Sequence, residues 1–442
     1  MKKTILLLSA LIAPTLALAQ DGPRPISLNE AVTMAKKNAP AMISARGQIR
    51  TSAASVKVAK WAFNPLNNIV LGYGSSISGG VTYVNDVRLD RPGTAWNFSQ
   101  SFGSANLTIW DGGVKLAAIR TANAQLDQAE VNETLQTFTI SQSVKTQYYT
   151  ILRQQELLAT ARLQLENAKA QMATAKAKVA QGAATVADTL QSLIAIITAE
   201  NAILSTQNNI DNANAQLTRL VASEYTVTAI VSDTTDPAPF TIPEAELAGY
   251  VERAPTVRSA VSALAVSKSR ERSTRAVLWP TITATGSYGR SNQQPTTGGF
   301  SGYDFGAGPM NQSWSFGLNA SFTLFNGFSR ESQILSAKIT SDNSEASLRD
   351  ARLTYRQNLT QQIGALKLAD AQIALTRTQV TVAEDNLRIV QRRYELGTGV
   401  LLDLTTAQQA LTTARNNLTS ARFDARNART ALETLLGRDL PQ

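Results

Sequence analysis

Read against itself at an offset of 215 residues, this chain repeats. Gly182 and Asp188 return as Gly397 and Asp403, and Ala39-Pro40 as Ala254-Pro255. Pro65 returns as Pro280, Tyr73-Gly74 as Tyr288-Gly289, and Trp110-Asp111-Gly112 as Phe325-Asn326-Gly327. Leu217 and Leu220 match Leu432 and Leu435 at the same spacing, so no insertion or deletion interrupts these anchors. A fixed period of this kind requires two copies of one structural plan, whatever that plan is. The join falls at the proline-bearing stretch around Pro237, Pro239 and Pro243.

Each copy switches pattern twice. From Ser27 to Trp61 the apolar spacing is helical, and a helix is expected there. After Pro65 comes the short alternating run "NNIVLGYG", then a Gly/Ser-rich loop, then a second alternating run ending at Trp110. In the second copy, "TITATGSYG" places Ile282, Ala284 and Tyr288 on one face and threonines on the other. "WSFGLNASFTLF" places Trp314, Phe316, Leu318, Ala320, Phe322 and Leu324 on one side. Successive strand residues point to opposite faces, so these are ribbons with one greasy and one polar face. The matching run of the first copy loses phase between Phe102 and Ala105, where a β-bulge is expected.

A long helix follows. Ile151, Leu158, Leu165, Met172 and Val179 recur every seven residues, and Leu366, Ile373, Val380, Leu387 and Tyr394 repeat the series. A sustained heptad implies a left-handed coiled coil. Periodicity resumes after each glycine turn, at Ile196, Ile203, Ile210 and Leu217 in the first copy, so the chain folds back on itself. The turns near Gly182 and Gly397 are then the tips of two helical hairpins. The outgoing helix, about Gly112 to Gln181, extends on the order of 105 Å at ~1.5 Å per residue. The returning helix covers about half of that, and the helix from Ser27 to Trp61 has the length to fill the remainder.

Composition narrows the function. Lys2 and Lys3, an apolar run from Ile5 to Ile12 and an Ala17-Leu18-Ala19 site read as a secretory signal peptide over residues 1–19. The chain has no cysteine, hence neither a disulfide nor a lipid-bearing cysteine, and no histidine for acid–base or metal chemistry. Its formal charge of +9 falls to +7 without Lys2 and Lys3 and is scattered, which argues against nucleic acid as a partner. No phosphate-binding loop and no nucleophile–base pairing occurs, so neither an enzyme nor a cofactor or metal site is expected. No apolar stretch beyond the signal segment is long enough for a membrane-spanning helix.

Four amphipathic strands suit lipid on one face, yet an open four-stranded sheet leaves edges that lipid cannot satisfy. Closure by rotation of identical subunits removes them, and a dimer, trimer or tetramer would give eight, twelve or sixteen strands. Periodicity alone leaves these open.

"ISLNEAVTMAKKNAP", the tandem halves, "FTLFNGF" and "RRYELGTGVLLDLTTAQQAL" closely resemble the TolC-like outer-membrane efflux proteins, over essentially the whole mature chain. The resemblance implies a mixed α and β membrane protein. It would be a homotrimer with a twelve-stranded barrel in the bacterial outer membrane, and most of the chain would form a coiled-coil tunnel in the periplasm. It also implies a periplasmic adaptor, an inner-membrane transporter and outer-membrane lipid as partners. The expected divisions are a first repeat over 20–222, with strands near 66–75 and 97–110 and a hairpin over 111–222. A linker follows over 223–243, and then a second repeat over 244–442, with strands near 281–290 and 313–325 and a hairpin over 326–437.

Candidate site residues have two readings each. Thr185 to Asp188 is a capping-box pattern, so Asp188 has a structural role at the start of the returning helix. At Asp403 the matching cap position is Val400, which cannot cap. Tyr394 sits at a heptad position and is accounted for by packing, though its hydroxyl needs a partner. The resemblance implies more: residues matching Asp188 and Tyr394 belong to a linkage that closes the periplasmic end, and one matching Asp403 faces the narrowest point of the pore. Gly399 stands where an arginine can join that linkage, and Thr406 where a second acidic ring can lie. Gly182, Gly397 and Gly399 supply the freedom for tight reversals, and such tips dock the adaptor. The leading reading is an export conduit of a tripartite efflux or type I secretion system. A passive outer-membrane porin is the alternative, and it leaves helices of about 100 Å without a purpose.

Overall fold

A computed structural model describes residues 22–64, 72–182, 184–230, 249–295 and 311–440. The expected signal segment, residues 65–71 and most of the linker lie outside the described residues. Helix dominates. In the first repeat, β1 (Arg24–Ile26), α1 (Leu28–Asn38) and α2 (Pro40–Trp61) lead to a hairpin of β2 (Gly72–Val84) and β3 (Val87–Trp110). Then come α3 (Val114–Ala180), α4 (Val186–Val221) and β4 (Val227–Ala229). The second repeat has a 3-10 turn at Val251–Arg253, α5 (Pro255–Ala276), β5 (Thr281–Pro295), β6 (Asn311–Ser321), α6 (Ser329–Glu395) and α7 (Leu401–Leu436).

The 215-residue offset holds element by element. α2 and α5 have 22 residues each, α3 and α6 have 67, and α4 and α7 have 36, with every boundary displaced by the same interval. Left-handed backbone recurs in pairs at the same interval: Gly112 with Gly327, Gly113 with Phe328, Gly182 with Gly397, and Ala222 with Gly437. In two of these pairs a side chain occupies a conformation that its duplicate leaves to glycine.

The helix expected over 27–61 is two helices. Ala39 is extended (φ −58°, ψ 132°), because the ring of Pro40 excludes the α region for the residue before it, and Pro40 opens α2. Ser27 caps α1, accepting from the Glu30 N–H at 3.2 Å. Both α3 and α6 extend about 100 Å. α1, α2 and α4 all pack on α3, while α5 and α7 both pack on α6, so a full-length helix lies beside two stacked shorter ones in each repeat. α3 also packs on α5 and α7, which joins the repeats and gives the wall the order α2 or α4, α3, α5 or α7, α6.

The Gly/Ser-rich stretch is not a loop. β2 and β3 continue through it and reverse at Asn85-Asp86, both with positive φ, the two-residue turn whose twist matches that of paired strands. Small polar residues had hidden the alternation. β3 therefore starts at Val87 rather than near 97, and β2 runs to Val84 rather than 75; β5 extends to Pro295 and β6 ends at Ser321. The four strands form one antiparallel sheet in the order β2-β3-β5-β6. The register shift between Ser101 and Gly103 is the expected bulge. Trp314, Phe316 and Leu318 of β6 lie beside Tyr288, Gly286 and Ala284 on one face, with Trp314 and Phe316 80% exposed. On the other face Ser287 and Ser315 share a hydrogen bond of 2.8 Å. β2 and β6 are free edges of the described sheet.

At mid-length, β1 and β4 form a parallel pair against α3. The Tyr148 hydroxyl donates to the Ile26 carbonyl and accepts from the Ile230 N–H, both at 3.2 Å, inside a core with Ile151, Leu217 and Val227. The second repeat builds its core at the matching positions, Leu366 and Leu432 among them. Between them Lys145 of α3 meets Glu433 of α7 at 2.6 Å and Asp439 at 3.1 Å. Burial works against the lysine charge, but the hydrogen bonds and charge of Glu433, then those of Asp439, raise its pKa above the ordinary value.

Candidate functional site at the hairpin tips

The first tip forms because Gly182 takes φ +72°, its N–H bonding the Val179 carbonyl at 3.0 Å. Thr185 then starts α4. Its N–H donates to Asp188 Oδ2 at 2.8 Å, the carboxylate arm of the expected capping box, and its hydroxyl donates to the same oxygen at 3.1 Å. Asp188 is thus engaged at the helix start.

The second tip solves the same reversal with different contacts. Gly397 has φ +76° and donates to the Tyr394 carbonyl at 3.2 Å. The Arg393 carbonyl accepts three bonds, from the Thr398 and Gly399 N–H groups and the Thr398 hydroxyl, at 3.0, 3.0 and 3.1 Å. Gly399 serves close approach rather than left-handed freedom: a methyl group there would stand 3.1 Å from Tyr394 N and 3.2 Å from Arg393 Cβ. Val400 caps nothing with its side chain, so Asp403 alone places a carboxylate in the first turn of α7. Asp403 is exposed and makes no ion pair or hydrogen bond among the described residues. Thr406 turns its hydroxyl back to the Leu402 carbonyl at 2.8 Å.

Lys178, in the last turn of α3, joins the two tips, and nothing in the heptad pattern marks it. Its Nζ lies 3.7 Å from the centre of the Tyr394 ring and donates to the Tyr394 carbonyl at 2.9 Å. One ammonium group therefore holds the ring by cation–π attraction and also satisfies a carbonyl at the end of α6. Tyr394 is buried with Leu401 and Leu404 and packs against Leu387 and Val390. Its phenol pKa is raised, first by burial and then by the charge of Asp188. The structure thus brings Asp188, Tyr394 and Lys178 to one place, but the Asp188 carboxylate accepts its hydrogen bonds from Thr185 rather than from Tyr394. Asp403 stands apart from them, on a free face of α7.

An amphipathic antiparallel sheet crowning helices of about 100 Å, with paired tips at the far end, defines the protomer of a membrane channel-tunnel. The chain belongs to the outer membrane efflux protein family, whose model matches residues 31–223 and 250–438, one span per repeat. Its fold is that of solved outer-membrane channels. The outer membrane protein VceC of Vibrio cholerae aligns with TM-score 0.74 and 19% identity, covering 93% of this chain and 96% of that one. The CmeC outer membrane channel of Campylobacter jejuni aligns with TM-score 0.74 and 15% identity, covering 93% and 85%. The MtrE outer membrane channel of Neisseria gonorrhoeae, in its open state, aligns with TM-score 0.72 and 17% identity, covering 93% and 89%. No curated protein matches the sequence significantly. The protein is an efflux channel of the bacterial outer membrane with a large periplasmic helical portion.

Proposed function

We propose that three copies of the chain close head to tail into one tunnel through which substrate leaves the periplasm. A periplasmic adaptor would dock on the tips around Gly182, Gly397 and Gly399, and an inner-membrane transporter would supply the energy. One observation carries the closure. Leu368, Leu375, Val382 and Ile389 of α6, continued by Leu396 at its C-cap, form a strict heptad stripe, each 58–71% exposed in the single chain. The stripe lies on the side of α6 opposite Leu387 and Tyr394. On α4, at the other flank of the protomer, Val186, Leu190, Ile194, Ile197 and Leu204 are likewise exposed. Measured from the turns, Val382 and Ile197 stand at similar heights, as do Leu375 and Leu204. A heptad seam without a partner asks for another helix, and the α4 of a neighbouring copy is the matching one. The free edges β6 and β2 lie at the same two flanks, so one rotation satisfies both.

In this reading Tyr394, Asp188 and Lys178 hold the periplasmic end shut, and Asp403 forms a ring of three carboxylates at the narrowing. With no native cysteine, the seam is testable by Val382→Cys with Ile197→Cys. Oxidation should link copies into covalent ladders up to the trimer. A product confined to the monomer mass would overturn the seam.

A further inference from the structure

α2 and α5 carry an unusual charge, part of it gathered at the ends that lead into the strands. α2 has four cations (Arg46, Arg50, Lys57 and Lys60) and no acid, and α5 has five cations against the single Glu271. Two of these positions are duplicated at the repeat interval, since Arg272 and Arg275 follow Lys57 and Lys60 by 215 residues. All four side chains are exposed, and Lys57, Lys60 and Arg272 make no ion pair among the described residues. Arg275 pairs with Glu271 at 2.7 Å.

Their face of the wall follows from packing. α5 lies between two helices. Its Ser259 bonds Asn132 of α3, while Val257, Ala260 and Leu264 pack against the Leu348 and Tyr355 cluster of α6. At ~100° per residue, the free arc between these packed faces is roughly 100° on one side and roughly 200° on the other. The narrow arc carries Thr256, Ala263, Arg270 and Thr274. The wide arc carries Arg258, Lys268 and Arg272, with Arg275 at its margin. In a closed ring of helices the wider arc is the outer one. Repeat symmetry puts Lys57 and Lys60 on the same outer face of α2.

Exposed aromatics stand just beyond the basic pairs, at Trp61, Phe63 and Trp279. Arg275 lies six residues before Thr281, where β5 begins, or about 9 Å along a helix. The headgroup layer of one leaflet spans ~5–8 Å, within reach of long snorkelling side chains. Cations beside an aromatic belt at that depth match an anionic interface.

We propose that Lys57, Lys60, Arg272 and Arg275 form an outward-facing collar that binds the phosphate headgroups of anionic phospholipid in the inner leaflet of the outer membrane. The collar rests on the closed ring proposed above. Native mass spectrometry of the full-length protein in mixed micelles tests both separately, because the oligomer mass reports the ring and the adduct mass reports the lipid. Each cation near an anionic surface contributes about fivefold in affinity. Phosphatidylglycerol should therefore be retained at least tenfold better than phosphatidylethanolamine. The Lys57→Gln, Lys60→Gln, Arg272→Gln, Arg275→Gln variant should lose that preference while keeping the oligomer. Arg46→Gln with Arg50→Gln, on the same face but farther from the membrane, should keep it. Equal retention of the two lipids by the native protein would overturn the collar, as would undiminished preference in the fourfold variant. Inorganic phosphate displacing phosphatidylglycerol at low millimolar concentration would overturn the assignment to lipid.

Discussion

Lys178→Met keeps the aliphatic stem and removes only the charge, so it isolates what the tether does. The ammonium of Lys178 lies 3.7 Å from the centre of a buried ring, a contact worth about 1–2 kcal/mol. The same group donates at 2.9 Å to the Tyr394 carbonyl, and hydrogen bonds to charged groups contribute roughly 1.5–3 kcal/mol. Lys178 is only half-buried, and ordering its side chain opposes both gains by up to about 2 kcal/mol. A net of about 2 kcal/mol per tip remains, or about thirtyfold in the balance between tethered and free tips. The assay is the open fraction of purified channels in a planar bilayer. Lys178→Met and Tyr394→Leu should both raise it, whereas Tyr394→Phe should stay close to the native protein, because the ring and the carbonyl that Lys178 grips both survive. An unchanged open fraction in Lys178→Met would refute the tether. If Tyr394→Phe opened as far as Tyr394→Leu, the link would lie at the phenol hydroxyl and Asp188 instead.

Further outcomes follow from the left-handed turns, the buried ion pair and the exposed Asp403. Gly437→Ala should lower the unfolding midpoint of the detergent-solubilised protein by the equivalent of about 2–3 kcal/mol, since left-handed backbone and collision with Pro255 coincide there. Its duplicate Ala222→Gly, which relieves the same conformation (φ 50°), should change stability by less than ~1 kcal/mol, in the favourable direction. Lys145→Met leaves Glu433 buried with the Leu440 N–H as its one remaining donor among the described residues, and should cost about 3 kcal/mol in urea unfolding. Adding Glu433→Met should restore most of that. Asp403→Asn should reduce cation preference, measured as reversal potential in a salt gradient, while Asp188→Asn should leave it intact; identical values for Asp403→Asn and the native protein would place Asp403 off the pore axis.

What the sequence reveals and conceals divides along physical lines. Contacts that recur at a fixed spacing leave a pattern. The heptads of α3 and α6, the capping box at Thr185 and the phase break at Phe102 all stand in the structure where periodicity places them. The hairpin through Ser76 to Gly80 had no such pattern, because serine and glycine carry no hydrophobic alternation to read. The break before Pro40 is legible from proline sterics, but the helical spacing on either side masks it. Lys178 and Lys145 were illegible for another reason. Each joins α3 of the first repeat to a helix of the second, and contacts more than 200 residues apart obey no local rule. At the tips the residues that reverse the chain were readable, whereas the residue that ties one tip to the other was not. Gly399 looked like a turn glycine and proves to be a packing one.

On this reading the chain is one-third of a closed tunnel. Its two free sheet edges and the unpartnered heptad stripe on α6 must be covered by further copies of itself. Native mass spectrometry of the protein extracted from outer membranes in mild detergent measures this directly. One dominant species is expected at three times the mass of the chain, without smaller assemblies at dilution. A stable monomer or dimer as the dominant species would contradict it.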